Sequence, residues 1–280
     1  MAHLKTGVVF SSGFFGFFAH AGFLAAIRKK EIPLSGFSGA SSGAIVAAMA
    51  ASGMDDSEIF SLLSSVKKND FWDPDPLNVL IKAVLTLFKG YTGYLYGKKF
   101  ERLISQIPCR TIESCKTPLV ITTVNLTAQK KEDLTAGSLS KTVQASGAVP
   151  MMFKPVEIND CLHVDGGYAC KAPVEALLNR VPDLQRIIVH YIRSENLNES
   201  PHSFLNKKLT PFHIWHSVIN IAREDGYSRQ LEQMRAKKIE VIEITTAAPK
   251  ISPSRMSGGY EAHKIAMSET IRILEEKKII

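Results

Sequence analysis

The sequence predicts an α/β protein of three layers, α/β/α, with a mostly parallel central sheet between two layers of helices. Short runs rich in β-branched and aromatic residues alternate with longer segments in which apolar residues recur at helical spacing. That alternation is typical of parallel sheets covered on both faces. The chain has 280 residues, 45% of them hydrophobic, which is enough for a sizeable core. We therefore expect residues 1–280 to form a single domain, with the functional motifs in about 5–177 and the remaining elements in 178–280.

Charge and cysteine content restrict the classes of function. The formal net charge is +7, and the basic residues occur largely as scattered pairs instead of clustering on one recognition element. We therefore expect no nucleic-acid partner, although the positive charge favours peripheral contact with an anionic membrane surface. The four cysteines show neither CxxC pairing nor metal-type spacing with histidine. Reduced thiols in a cytoplasmic protein are expected, with no metal and no cofactor.

The N-terminal region contains an uncharged run that a hydropathy scan could read as a membrane span. From Gly7 to Ile27 there is no formally charged residue, but serines and glycines interrupt the run. The pattern predicts a strand over 6–10, a small-residue loop and a helix over 17–27. Only Lys5 precedes the apolar run, whereas a secretory signal carries its basic residues there. We predict neither a cleaved signal peptide nor a spanning helix.

Six further strands are predicted where short apolar runs lie between turn-forming residues. They are residues 33–38, 118–125, 154–158, 163–164, 186–192 and 239–245. Asp55, followed three residues later by Glu58, predicts a capping box. The apolar spacing after it predicts a helix that ends near Lys67.

A second apolar helical pattern follows the proline-rich turn at residues 73–76. Apolar residues from Leu77 to Phe88 form a broad stripe, and tyrosines and lysines follow it as far as Lys99. Two interpretations stay open from the residues alone. The segment is either an interfacial lid that enters lipid or a helix packed into the core.

The segment around Ser41 fits the pattern G-x-S-x-G, with Gly39 and Gly43 on either side of the serine. A strand is predicted before it and a small-residue helix after it, which is the context of a nucleophile elbow. The glycines let strand and helix approach closely, and the helix N-terminus favours developing negative charge. An ordinary strand-to-helix loop of glycine and serine fits the same letters, and both interpretations stay open.

The first strand-to-helix turn, residues 11–16, is the candidate for an oxyanion hole. Small residues at a helix N-terminus form an anion-binding concavity, and acyl transfer requires such donors. The backbone N–H groups of Ser12, Gly13 and Phe14 are the candidate donors. The alternative is a dinucleotide-type phosphate loop, for which Glu31 is the candidate acidic ribose ligand, in a poor context.

The candidate general base is Asp165, which is followed by Gly166 and Gly167. A carboxylate at the end of a short strand, held by two glycines, can reach a neighbouring site without crowding. It could accept the proton of a serine hydroxyl directly, so that no histidine is required. In isolation the same letters also fit an Asp-Gly turn that joins two strands. His163 shares a strand face with Asp165, and we expect it to be a structural histidine satisfied by a neighbour.

Taken together and in this order, the three motifs resemble the patatin-like phospholipase family. The resemblance covers about residues 5–176 and includes Ser11 to Gly16, Gly39 to Gly43 and Asp165 to Gly167. The segment that begins at Ala145 and leads to Asp165 is also similar to that family. The resemblance implies a patatin-like fold of the bacterial type. It further implies Ser41 as nucleophile, Asp165 as base, and hydrolysis of acyl lipids as a phospholipase A, lysophospholipase or carboxylesterase.

The glycine-rich loop departs from the family pattern. The family has G-x-G-x-x-G, commonly with Arg or Lys before the last glycine, whereas this chain has Ser11 first and Phe15 before Gly16. The apolar residues resemble those of the adiponutrin-like branch. Two alternatives therefore remain beside a lipid acyl hydrolase. One is a catalytically weak or silent lipid-binding or regulatory protein, and the other is an acyltransferase that uses the same two residues.

Overall fold

The computed structural model describes residues 4–193, 211–247, 249, 251 and 256–279. Its strands are β1 (Thr6–Phe10), β2 (Leu34–Ala40), β3 (Gly93–Leu95), β4 (Leu119–Asn125), β5 (Lys130–Leu134), β6 (Met151–Phe153), β7 (Val156–Ile158), β8 (Cys161–Asp165), β9 (Arg186–His190) and β10 (Glu240–Ile244). Its helices are α1 (Phe17–Lys29), α2 (Ser42–Ser52), α3 (Asp56–Ser65), α4 (Lys68–Phe71), α5 (Leu77–Leu85), α6 (Lys98–Ile104), α7 (Leu139–Ser146), α8 (Val174–Arg180), α9 (Pro211–Ala236) and α10 (Gly259–Glu276).

The central sheet has eight strands among the described residues, in the order β10-β9-β1-β2-β4-β8-β7, with β5 also paired to β4. Strands β10, β9, β1, β2 and β4 run parallel, while β5, β8 and β7 join by antiparallel pairing. The short strands β3 and β6 form a separate parallel pair. The predicted α/β class with a mostly parallel sheet is confirmed.

Helices cover both faces of this sheet because side chains alternate along each buried strand. In β1, Val8 and Phe10 face a core that includes residues of α1, α2, α3 and α10. Val9, between them, faces a second core with residues of α8 and α9. The two cores on opposite faces of one sheet give the three layers.

The elements predicted from the sequence are present with small differences at their ends. All seven predicted strands occur, and the capping box is formed in both directions between Asp55 and Glu58, with two hydrogen bonds of 2.8 Å. Strands β3, β5 and β6 were not predicted. The β5 sequence, Lys-Lys-Glu-Asp-Leu, is mostly charged. It forms a strand by pairing with β4, where Asp133 accepts a hydrogen bond from Thr122 at 2.6 Å.

The uncharged N-terminal run divides into β1, a loop and α1, as predicted. None of the helices in the described part of the chain is both long enough and apolar enough to cross a bilayer.

The C-terminal third extends the sheet on which the motifs lie. Strand β9 pairs with β1 along its whole length, β10 pairs with β9, and α10 packs against α1. At that helix contact, a Cβ added to Gly22 would lie 2.1 Å from the carbonyl oxygen of His263. We propose from these contacts that residues 1–280 form a single domain.

Replacing Gly22 should therefore destabilise the whole protein. We expect Gly22→Ala to lower the free energy of unfolding by about 1–3 kcal/mol, because the added methyl group forces α1 and α10 apart. The matched control is Gly226→Ala in α9, where an added Cβ meets nothing within 4 Å. Alanine is a better helix former than glycine, so the free energy of unfolding of the control should rise by up to about 1 kcal/mol. Chemical denaturation measures both, and two separate unfolding transitions would contradict the single domain.

Candidate active site

Ser41 lies at a sharp turn between β2 and α2 and has a positive φ of 55°. A non-glycine residue is strained in this conformation, as expected for a serine presented at a nucleophile elbow. The flanking glycines are required by packing. A Cβ on Gly39 would lie 2.4 Å from the carbonyl oxygen of Gly43, and a Cβ on Gly43 would lie 2.3 Å from that of Phe10.

The hydroxyl of Ser41 donates a hydrogen bond to Oδ2 of Asp165 at 2.8 Å. Asp165 is buried at the end of β8, and its other carboxylate oxygen accepts the backbone N–H of Gly167 at 2.7 Å. Both oxygens of the carboxylate are therefore held, one by the serine and one by the main chain. The structure thus brings together the predicted nucleophile and the predicted base.

Burial raises the pKa of Asp165 from its ordinary value to about 6. The hydrogen bonds from Ser41 and Gly167 and the positive charge of Arg223 act in the opposite direction, because each favours the carboxylate. A carboxyl group with this pKa is ionised at neutral pH and is a stronger base than an exposed aspartate. It is suited to accept the proton of a serine hydroxyl.

The two glycines after Asp165 pack closely against neighbouring residues. A Cβ on Gly166 would lie 1.9 Å from the carbonyl oxygen of Thr122 in β4, and one on Gly167 would lie 2.6 Å from Cβ of Ser12. The chain then makes a short 3₁₀ turn over Gly166–Tyr168 and continues towards α8. The alternative of an Asp-Gly turn joining two strands is therefore excluded.

Two side chains that support the site were not predicted. Ser146, at the end of α7, accepts the N–H of Ser41 at 2.9 Å and donates to the carbonyl oxygen of Thr122 at 2.7 Å. Arg223, on α9, donates from Nη1 to the carbonyl oxygen of Gly167 at 2.6 Å. Ser146 lies in the segment whose resemblance to the family was noted, but nothing there indicated its hydrogen bonds. No local pattern distinguishes Arg223 from the other arginines of the chain.

The structure reduces the candidate oxyanion donors from three backbone N–H groups to two. The N–H of Ser12 donates to the carbonyl oxygen of Lys171 at 2.7 Å and is not available to a substrate, so Ser12 leaves the donor set. Within the described residues, the N–H groups of Gly13 and Phe14 have no acceptor. Ser42, next to Ser41, donates to the carbonyl oxygen of Gly13 at 2.6 Å and so fixes this loop beside the elbow.

Ser11, in the position of the family's first glycine, belongs to a buried hydrogen-bonded chain behind the loop. Its carbonyl oxygen contacts Nε2 of His20 at 2.9 Å, and Nδ1 of His20 contacts Nδ1 of His190 at 2.7 Å. Nε2 of His190 contacts the hydroxyl of Thr246 at 3.1 Å. A carbonyl only accepts, so His20 carries its proton on Nε2 and His190 on Nδ1. The Ser11 hydroxyl accepts the N–H of Ile192 at 2.8 Å.

His163 does not take part in the Ser41–Asp165 pair. Its Nδ1 lies 3.0 Å from the hydroxyl of Thr123 on the neighbouring strand. This contact agrees with the interpretation of His163 as a structural histidine.

An apolar cavity of about 100 Å³ begins at Ser41. It follows α2 for two turns, through Ile45 to Met49, and is closed by side chains of α3, α4, α6 and β6. The remaining lining residues are Phe14, Phe15, Phe17, Ser42, Leu62, Leu63, Val66, Phe71, Phe100, Leu103, Ile104, Gly147, Val149, Met152 and Phe153. A chain of methylene groups fits such a surface, whereas a charged or strongly polar group does not.

A serine at a strained strand-to-helix elbow, hydrogen-bonded to a buried carboxylate beside an apolar cavity, is the arrangement of a hydrolase that acts on acyl groups. The sequence model of the patatin-like phospholipase family matches residues 8–178. The chain belongs to the patatin-like phospholipase family, which confirms the resemblance noted in the motifs. Membership supports lipid hydrolysis as the class of reaction.

Known proteins resemble the chain in sequence and in fold. Lysophospholipase NTE1 of Scheffersomyces stipitis is 26% identical over 178 residues, which are 63% of this chain and 11% of that much longer protein. The crystal structure of VipD from Legionella pneumophila superposes with a TM-score of 0.52 at 15% identity, over 98% of this chain and 67% of that one. At this identity the structural likeness shows the fold alone.

Removing the charge of Arg223 should change the pH dependence of hydrolysis. If Asp165 is the general base, it must be ionised to accept a proton, so kcat/KM for ester hydrolysis should fall as the pH drops below about 6. Arg223→Met removes a charge that favours the carboxylate, raises the pKa of Asp165 and should therefore move the fall in kcat/KM to higher pH. Arg223→Lys keeps the charge and should stay near wild type. An unchanged pH profile of kcat/KM in a folded Arg223→Met protein would contradict the role of Asp165 as the titrating base.

A side chain at Gly13 should disturb the oxyanion donors. A Cβ there would lie 2.7 Å from Cγ2 of Ile192, so the loop must shift. We expect Gly13→Ala to lower kcat on a soluble ester by about 10²–10³-fold, the usual cost of losing one donor. The added Cβ would also lie 2.9 Å from Cβ of Ile192, which alanine would keep, so the rescue variant is Gly13→Ala/Ile192→Gly. It removes every contacting atom of residue 192 and should recover part of the rate. Full activity of Gly13→Ala would exclude this loop as the oxyanion hole.

Proposed function

We propose that the protein is a lipid acyl hydrolase of phospholipase A, lysophospholipase or carboxylesterase type, with Ser41 as nucleophile and Asp165 as general base. The observation that carries the proposal is the 2.8 Å hydrogen bond between these two side chains at one end of an apolar cavity. A serine and a buried carboxylate form a sufficient nucleophile and base, because the carboxylate accepts the proton without a histidine.

In the first step, Oγ of Ser41 attacks the ester carbonyl carbon while its proton passes to Oδ2 of Asp165. The tetrahedral intermediate collapses with cleavage of the bond to the alcohol oxygen, and the alcohol leaves with the proton from Asp165. The acyl group is then bound to Ser41 as an ester. In the second step, water gives a proton to Asp165 and attacks the same carbonyl carbon. The bond between that carbon and Oγ of Ser41 then breaks, Oγ takes the proton back from Asp165, and the fatty acid is released.

The negative charge that develops on the carbonyl oxygen is stabilised by donors already in place. The N–H groups of Gly13 and Phe14 have no acceptor among the described residues and belong to the loop that Ser42 holds beside the elbow. The N-terminus of α2 begins at Ser42 and contributes the positive end of its dipole. Donors that need no rearrangement stabilise the transition state more than the ground state.

The carbonyl-proximal part of the substrate's acyl chain occupies the apolar cavity. Its walls are aliphatic and aromatic side chains, so the energy of binding comes from burial of methylene groups. The relative from Scheffersomyces stipitis is a lysophospholipase, which makes a single-chain phospholipid the first natural substrate to test. We also propose a cytoplasmic protein with peripheral membrane contact, supported by its four free cysteine thiols.

Replacement of either residue of the pair should abolish hydrolysis. We expect Ser41→Ala and Asp165→Asn to lower kcat/KM for medium-chain p-nitrophenyl esters on the order of 10⁴-fold or more. Ser41→Ala should also prevent covalent labelling by a fluorophosphonate. The exposed residues Ser61 and Asp160 provide matched controls, since Ser61→Ala and Asp160→Asn remove the same groups elsewhere. Circular dichroism checks that each variant is folded.

Two results would contradict the proposal. A folded wild-type protein that neither hydrolyses esters nor reacts with the fluorophosphonate would be a silent lipid-binding protein. Preferential transfer of the acyl group to an added alcohol or lysolipid, instead of water, would make the protein an acyltransferase.

A further inference from the structure

The segment between α4 and β3 exposes an apolar surface that the core does not use. Six large apolar side chains here are between 52% and 90% exposed: Leu77, Ile81, Val84, Leu85, Leu87 and Phe88. The core-packing interpretation of this stripe is therefore wrong. Contiguous apolar surface of this kind marks an interaction site.

The exposed apolar residues of α5 lie on one face of the helix. At 100° per residue, Leu77, Ile81, Val84 and Leu85 fall within a sector of about 100°. Ala83, the buried residue, lies on the other side. The helix thus packs one apolar face, with Val79 and Leu80, on its own protein and turns a second apolar face outward.

The charged residues within residues 77–99 are all positive, and the neighbouring carboxylate of Asp73 accepts the backbone N–H groups of Gly97 and Lys99. Lys82, Lys89, Lys98 and Lys99 are exposed, and the sequence has no acidic residue between Asp75 and Glu101. Asp75 itself is buried in an ion pair of 2.8 Å with Lys154. An outward apolar stripe with cations at its border is the pattern of a helix that lies in a membrane interface.

The segment is attached to the wall of the acyl cavity. The N–H of Asp75 donates to the carbonyl oxygen of Tyr94 at 2.9 Å and closes the base of the segment. Strand β3 then pairs with β6, whose residues Met152 and Phe153 line the cavity at Ser41. The exposed apolar segment is therefore connected to the cavity at Ser41 through the pairing of β3 with β6.

We propose that residues 77–99, here named the docking segment, bind a lipid membrane with anionic head groups. A second copy of the chain is the less favourable occupant, because a symmetric pair would bring the same four lysines together without an acidic partner. An anionic lipid membrane instead offers apolar acyl chains for the exposed side chains and negative head groups for the lysines. The proposal extends the proposed function by naming the surface on which the enzyme works, but membrane binding itself does not require catalysis.

The test is co-sedimentation of the full chain with phosphatidylcholine vesicles, with and without phosphatidylserine. Ser41→Ala is the parent protein, so that the lipid is not consumed. We expect Ile81→Glu/Leu85→Glu to lower the partition coefficient at least tenfold on both kinds of vesicle. Lys82→Gln/Lys89→Gln should lower it about fivefold for each lysine, and only on anionic vesicles.

The matched control is Val218→Glu/Ile221→Glu, which places the same charges on another exposed apolar face, on α9. This control should bind vesicles like the parent protein. The two docking-segment variants, made with Ser41 present, should keep hydrolysis of a soluble ester, which shows that the site is intact.

The outcomes separate this proposal from the proposed function. Vesicle binding without ester hydrolysis by the wild type would support the docking segment and overturn the hydrolase. Hydrolysis with no binding to anionic vesicles would overturn the docking segment alone. A concentration-dependent dimer that Ile81→Glu/Leu85→Glu dissociates, with vesicle binding unchanged, would assign the surface to a second copy.

Discussion

The close packing of chain segments at four glycines is the constraint on which the site depends. Gly39 and Gly43 let α2 start directly against β1 and β2, and Gly166 and Gly167 let the turn after β8 pack against β4 and the glycine-rich loop. A Cβ at any of these positions would lie 1.9–2.6 Å from a neighbouring atom, so the elements would have to move apart. Ser41 and Asp165, 124 residues apart in the chain, meet because of these contacts.

Burial makes Asp165 a useful base, but it also makes the ionised form costly. The protein offsets that cost with groups from separate parts of the chain: the N–H of Gly167, the hydroxyl of Ser41 and the guanidinium of Arg223. Arg223 comes from α9, well beyond the residues that the family model matches. The C-terminal third therefore contributes to the electrostatics of the site as well as to the sheet.

The parts of the site that the sequence predicts are those in which the backbone dictates the residue type. G-x-S-x-G and Asp-Gly-Gly can be recognised because only glycine permits the local packing. The hydrogen bond from Ser12 to Lys171 depends on how distant segments meet, and so does the contact of Arg223 with Gly167. Likewise β5 exists through pairing with β4, against the preference of its charged sequence. The sequence pattern of α5 could not show whether the helix is an interfacial lid or part of the core, because both require the same apolar stripe.

The two buried histidines behind the glycine-rich loop, His20 and His190, make the stability of the folded protein depend on pH. Burial lowers the pKa of His20 to about 3 and that of His190 well below its ordinary value, so both are neutral in the folded state. In the unfolded chain each binds a proton near pH 6.5, and acid therefore favours unfolding progressively below that pH. Protonation would also place two N–H donors face to face, where His20 now accepts from His190. In the proposed hydrolase, loss of activity in acid would thus have two separable origins: reversible protonation of Asp165 and unfolding favoured by protonation of the His20–His190 pair.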